Sequence, residues 1–133
     1  MGKVGILLVG HGSRKEYNKN LLTKTASLIA ERHPNYIVKC GFMEFNEPSI
    51  PDSLELFRSE DIDSIAVVPL FLARGVHIDE DIPEILKLKD GEKKGTFKLQ
   101  SREIPLVYAD PIGPNPLLAD LMAENASQAL SIL

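Results

Sequence analysis

Val4-Gly5-Ile6-Leu7-Leu8-Val9-Gly10-His11-Gly12-Ser13-Arg14 opens the chain with an apolar run that ends in a glycine-flanked histidine. A run without polar interruption predicts a strand covered on both faces, the central position of a parallel sheet. Gly10 and Gly12 let the backbone turn sharply there and hold the imidazole of His11 at the mouth of the sheet. Ser64–Leu70 (SIAVVPL) reads the same way. Ile37–Met43 (IVKCGFM) alternates more, interrupted by Lys39, and belongs nearer an edge, and Ile104–Ala109 (IPLVYA) is a fourth run.

Helical patterns separate these runs. Leu21, Leu22, Thr25, Leu28 and Ile29 recur at helical spacing, and Pro34 stops that helix near His33. Ser49 is a natural N-cap for a short helix through Leu54 and Phe57, with Pro51 in its first turn. Asp81 is expected to cap a third helix, with Pro83 among donors that lack helical partners anyway. Asn115-Pro116 opens a fourth, expected to carry Leu117, Leu118, Leu121, Met122 and Leu130 toward the core. The order β-α-β-α-β-α-β-α predicts one flavodoxin-like α/β domain over residues 1–133, a mainly parallel four-stranded sheet with helices on both faces. Residues 89–100, polar and carrying Gly91 and Gly95, read as a flexible surface flap within it.

The formal charge of −4 argues against nucleic-acid and anionic-membrane partners, which call for a basic surface. That charge is uneven. Lys87, Lys89, Lys93, Lys94, Lys98 and Arg102 against Asp90 and Glu92 give one segment +4, leaving −8 elsewhere. Cys40 is the single cysteine, which rules out an intrachain disulfide or a thiolate metal cluster and fits a reducing compartment. With no targeting or membrane-spanning run in view, the chain reads as cytoplasmic.

In such sheets ligands bind beyond the carboxyl ends of the strands. That rule singles out the loops at 10–14, 44–48, 71–77 and 110–115. His11 lies in the first. The third, Phe71-Leu72-Ala73-Arg74-Gly75-Val76-His77, is unusually apolar for a connection and ends in a second histidine. Asp79, Glu80 and Asp81 follow it; close to His77 they would favour its protonated form or act as outer-shell partners of a ligand, but their default role is helix capping. Glu44 and Glu47 occupy the second loop, and Glu47, beside Pro48, is the better candidate to face the cleft. Two imidazoles and a carboxylate suit a borderline divalent ion such as Co2+, Ni2+, Fe2+ or Zn2+. The nucleotide patterns G-x-G-x-x-G and G-x-x-x-x-G-K-[ST] are absent, although Gly12, Ser13 and Arg14 leave room for an anion at a helix start.

Val9–Arg14, Met43–Pro51 (MEFNEPSIP) and Val68–His77 (VPLFLARGVH), followed by Asp81-Ile82-Pro83 and Asp110-Pro111-Ile112-Gly113, run through nearly the whole chain in one register. In these motifs the chain resembles the short archaeal sirohydrochlorin chelatases, class II chelatases that insert a metal into a tetrapyrrole without ATP. The resemblance implies that His11 and His77 bind the metal and that His11 is also the proton acceptor. It implies that Glu47 and the stretch Leu72, Ala73, Arg74, Gly75, Val76 and His77 contact the tetrapyrrole. It further implies no permanently bound cofactor, a divalent metal substrate (Co2+ first, Ni2+ close behind), and a homodimer whose cleft is completed between subunits. Cobalt leads toward cobalamin and nickel toward the nickel tetrapyrrole of methanogens. Some relatives carry a histidine-rich tract where this chain has its lysines. Those lysines are expected to attract the substrate's peripheral carboxylates. Two other readings compete: phosphoryl transfer on His11 with Arg14 as clamp, and a carrier that binds metal or tetrapyrrole without turnover.

Overall fold

A computed structural model describes residues 3–89 and 91–133. The apolar opening run forms β1 (Lys3–Gly10), which pairs in parallel with β2 (Tyr36–Phe42) on one edge and β3 (Ile62–Pro69) on the other. Flanked on both sides, Ile6 to Val9 are all buried. The sheet continues through β5 (Glu103–Tyr108), parallel to β3, and ends on β4 (Lys94–Lys98), antiparallel to β5, in the order β2-β1-β3-β5-β4.

The sheet therefore has five strands where four are expected, and the extra one lies in the segment read as a flap. Its pattern has period two. Phe97 and, just beyond the strand, Leu99 are buried, while Lys94, Thr96 and Lys98 face outward. One buried residue within five, among lysines and glycine, is too faint an alternation to stand out from a loop. Asp90, also in that segment, lies outside the described residues.

Helices cover both faces. α1 (Tyr17–Arg32) buries Leu22 and Ala26 against Leu8 and Phe42, with Cys40 packed among them as a small apolar residue. The opposite face carries the larger core, where α2 (Ile50–Leu56) and α3 (Ile82–Ile85) close over Leu7, Val9, Ile65, Val67 and Leu106. Ser49 caps α2 as expected, its Oγ accepting from the Asp52 amide at 3.2 Å. A π-helical turn over His77–Asp81 runs directly into α3.

α4 (Pro116–Leu130) departs from expectation. Asn115 caps it by accepting from the Leu117 amide, yet the helix has no buried residue, and Leu117 is 72% exposed. The connector sets its course: Ala109 donates to the Val67 carbonyl, Ile112 to Phe71 and Gly113 to Leu72, each near 2.9 Å or closer. These bonds hold 109–113 against the ends of β3 and its following loop and send α4 off the sheet. The face of β5 opposite the large core is left bare, with Val107 42% exposed beside Ala66 of β3. Among the described residues no helix is long and apolar enough to cross a membrane.

Candidate metal-binding active site

His11 follows β1 and His77 ends the loop after β3, on neighbouring strands, so the topology alone brings them together. Their Nε2 atoms lie 3.1 Å apart. His11 Nδ1 is 3.1 Å from the Gly12 carbonyl and His77 Nδ1 is 2.8 Å from Asp81 Oδ2. Carbonyls and carboxylates only accept, so each Nδ1 carries the proton and each Nε2 presents a lone pair. Two lone pairs facing one another are satisfied only by something positive between them, a shared proton or a metal ion. With metal–nitrogen bonds of about 2.1 Å, two ligands on one ion sit about 3.0 Å apart at an octahedral right angle and about 3.4 Å at a tetrahedral one. The observed separation falls between these.

Asp81 thus acts differently from the helix cap expected of it. It makes no capping hydrogen bond, and the π-helical turn sets it four residues past His77 on the same side, where it orients the imidazole. Such turns often mark functional positions in helices. Tyr108 fastens the turn from below, its buried hydroxyl donating to the Ile78 carbonyl at 2.9 Å. Burial, with a smaller contribution from the Asp79 charge, pushes that phenol up to about 12.

Of the two loop glutamates, Glu44 is the nearer. Its Oε1 is 3.6 Å from His11 Nε2, whereas Glu47 is exposed and its side chain makes no hydrogen bond or ion pair among the described residues. The reason is a clamp between the 11–14 and 43–47 loops. Met43 donates to the Gly10 carbonyl, Glu44 to the His11 carbonyl, and the Ser13 amide to Asn46 Oδ1. Gly12 makes the close approach possible. It has φ +88°, and a Cβ there would stand 1.7 Å from the Glu44 carbonyl oxygen, so no other residue fits.

The surroundings are apolar. The Phe71 ring lies 6.3 Å from both imidazoles as a half-buried floor. Leu72, Ala73, Arg74, Gly75 and Val76 are all exposed around it, with Arg74 paired to Asp79 at 3.0 Å. Because β4 runs antiparallel to β5, it begins at this end of the sheet with Lys94 opposite Val107, and Lys93 just before it is paired with Asp110. Lys98, opposite Glu103, is at the far end. A cavity of about 270 Å³ between Arg74, Tyr108 and Asp110 adjoins the site. A larger one of about 530 Å³, lined by Leu54, Leu86 and Phe97, lies away from the histidines. Among the described residues no three His, Cys, Asp or Glu side chains gather as an ion cage. Two imidazoles alone would leave most coordination positions of a bound ion open.

The CbiX family model matches residues 5–129. A sirohydrochlorin cobaltochelatase of Methanococcoides burtonii is 45% identical over 96% of this chain and 98% of its own length. That of Methanosarcina barkeri is 44% identical with the same coverage. Among solved structures, a CbiX protein from Marinobacter aquaeolei superposes with a TM-score of 0.70 at 27% identity, over 98% of this chain and 99% of the other. The sirohydrochlorin chelatase SirB of Bacillus subtilis, solved in complex with cobalt, gives 0.58 at 32% identity over 64% of this chain and 36% of SirB.

Proposed function

The chain belongs to the CbiX family, and from that footing we propose that it is a metal chelatase that inserts a divalent ion, Co2+ foremost, into sirohydrochlorin without ATP. The observation that carries this is the pair of Nε2 atoms 3.1 Å apart, with each Nδ1 turned to a hydrogen-bond acceptor behind it. The incoming ion lies between His11 and His77, with the Glu44 carboxylate beside it to offset charge and help strip water. The macrocycle meets the ion from the open side, above Phe71 and along Leu72–Val76, with Glu47 at the rim. As the metal–nitrogen bonds to the macrocycle form, two pyrrole N–H bonds break. The ion brings two positive charges in and two protons leave, so the charge balances. His11 Nε2, freed as the metal passes over, accepts one proton, and the other passes to solvent water at the open side of the site. Neither a resident cofactor nor ATP is required for that exchange. Cytoplasmic placement accords with the single thiol.

Cobalt is favoured over nickel because the relatives at 44–45% identity bear the name sirohydrochlorin cobaltochelatase. Imidazole and carboxylate themselves do not separate the two ions, whose selection follows geometry and supply. Phosphoryl transfer on His11 is disfavoured, since His11 Nε2 faces His77 and the Arg14 guanidinium lies over the Phe45 ring.

The working unit we propose is a homodimer. One chain carries both a helix with no buried residue and a bare sheet face, and two such surfaces are complementary across a two-fold axis. Charge agrees: α4 holds Asp120 and Glu124 and no basic residue, whereas β4 presents Lys94 and Lys98 outward.

The direct test follows the visible spectrum of sirohydrochlorin mixed with Co2+ or Ni2+, with and without protein. Protein-accelerated insertion, faster for Co2+ when both ions compete, is the expected result. Tight binding without turnover would indicate a carrier instead.

A further inference from the structure

Phe45 is an aromatic residue in a place that does not suit it. Its φ is +66°, and the Asn46 amide donates to the Glu44 carbonyl across it at 2.8 Å. This is a γ-turn with its central residue in the left-handed region, a rare and strained conformation that glycine or asparagine tolerates better. Bulky side chains persist in such conformations only where their surroundings over-determine them, commonly at ligand clamps. Here the determinants are visible. Glu44 on one side reaches toward His11, and Asn46 on the other holds the Ser13 amide. The turn between them drives the Phe45 ring outward at the rim of the histidine site, where it is 55% exposed. Arg14, three residues past His11, places its guanidinium 5.3 Å from the ring centroid. A large apolar ring held in solvent by a strained turn and backed by a cation has no packing role that explains it.

We propose that Phe45, backed by Arg14, is a substrate-binding residue that stacks on the flat face of the tetrapyrrole and sets its approach to His11 and His77. The inference rests on the chelatase reading. Aromatic stacking on a conjugated ring is sequence-tolerant and strong for its size, and the ring lies beside the metal ligands without contributing a donor atom. Phe45 therefore governs affinity for the macrocycle and not for the ion.

The test is a fluorescence titration of metal-free sirohydrochlorin into wild-type protein, Phe45→Ala, Phe45→Leu and Phe45→Trp, with Co2+ binding measured separately by calorimetry. Loss of the ring in the Ala and Leu variants is expected to raise the dissociation constant for sirohydrochlorin about tenfold, with Trp restoring it to within about twofold and Co2+ affinity moving less than twofold throughout. Leu at wild-type affinity would overturn the inference alone, because leucine fills space without stacking. A loss of Co2+ affinity equal to the loss of sirohydrochlorin affinity would also overturn it, placing the effect on Glu44 and the histidines. A wild-type protein that takes up no sirohydrochlorin would overturn the chelatase reading and this inference together.

Discussion

His77 is the more constrained of the two imidazoles, because a full carboxylate holds its Nδ1 proton while only a backbone carbonyl holds that of His11. A carboxylate behind a metal-facing histidine fixes its tautomer and raises the basicity of the far nitrogen. Asp81→Ala should therefore cut the rate of cobalt insertion by about ten- to a hundredfold, with Asp81→Asn between it and wild type since the amide oxygen still accepts. Initial rates and Co2+ affinity, measured together, check this. Tyr108 makes a different prediction. Its pKa is raised in the folded state to about 12 from an ordinary value near 10, so the fold favours the protonated phenol. That contribution to stability is complete below about pH 10 and is lost as pH rises through about 12. Urea unfolding across this window should show wild type losing more stability than Tyr108→Phe. Much of this was legible: the positions of His11 and His77 follow from short loops at the ends of two central strands. Asp81 was legible only as one of three acids with two open roles, because a capping acid and a histidine partner look alike until the π-helical turn aligns them. The nearness of Glu44 to His11 and the outward turn at Phe45 were not legible, since both depend on backbone bonds between two loops distant in sequence.

β4 and α4 depart from the sequence reading for opposite reasons. β4 is a half-exposed edge strand whose outward lysines hide a short alternation, so its local pattern understates its structure. α4 has an obvious apolar face, but periodicity reveals only that a helix needs burial and not which chain supplies it. Its connector is bonded to the ends of β3 and the next loop, which directs the helix away from its own sheet. If α4 forms the proposed dimer interface, a double variant, Leu117→Glu with Leu121→Glu, should place charges in it and convert dimer to monomer in light scattering after size exclusion. Circular dichroism should be little changed, because neither side chain is buried within its own chain.

For the molecule as a whole, the strand order places the chemistry. In the order β2-β1-β3 the chain leaves β1 toward one edge and returns from β2 to the other side of it, which makes the gap between β1 and β3 a switch point. His11 and the 70–77 loop emerge on its two sides, tied by the Leu70 amide to the Val9 carbonyl at 2.8 Å. Ligand sites of open parallel sheets form at such crevices, and here the crevice is lined by two imidazoles over an aromatic floor. In the proposed chelatase the ion is held jointly by His11 and His77. The most direct test is the initial rate of Co2+ insertion into sirohydrochlorin by wild type, His11→Ala and His77→Ala, with folding verified by circular dichroism. Both variants should fold and fall to the rate without protein. A His77→Ala protein that inserts cobalt at the wild-type rate would show that the ion is not held jointly by the two histidines.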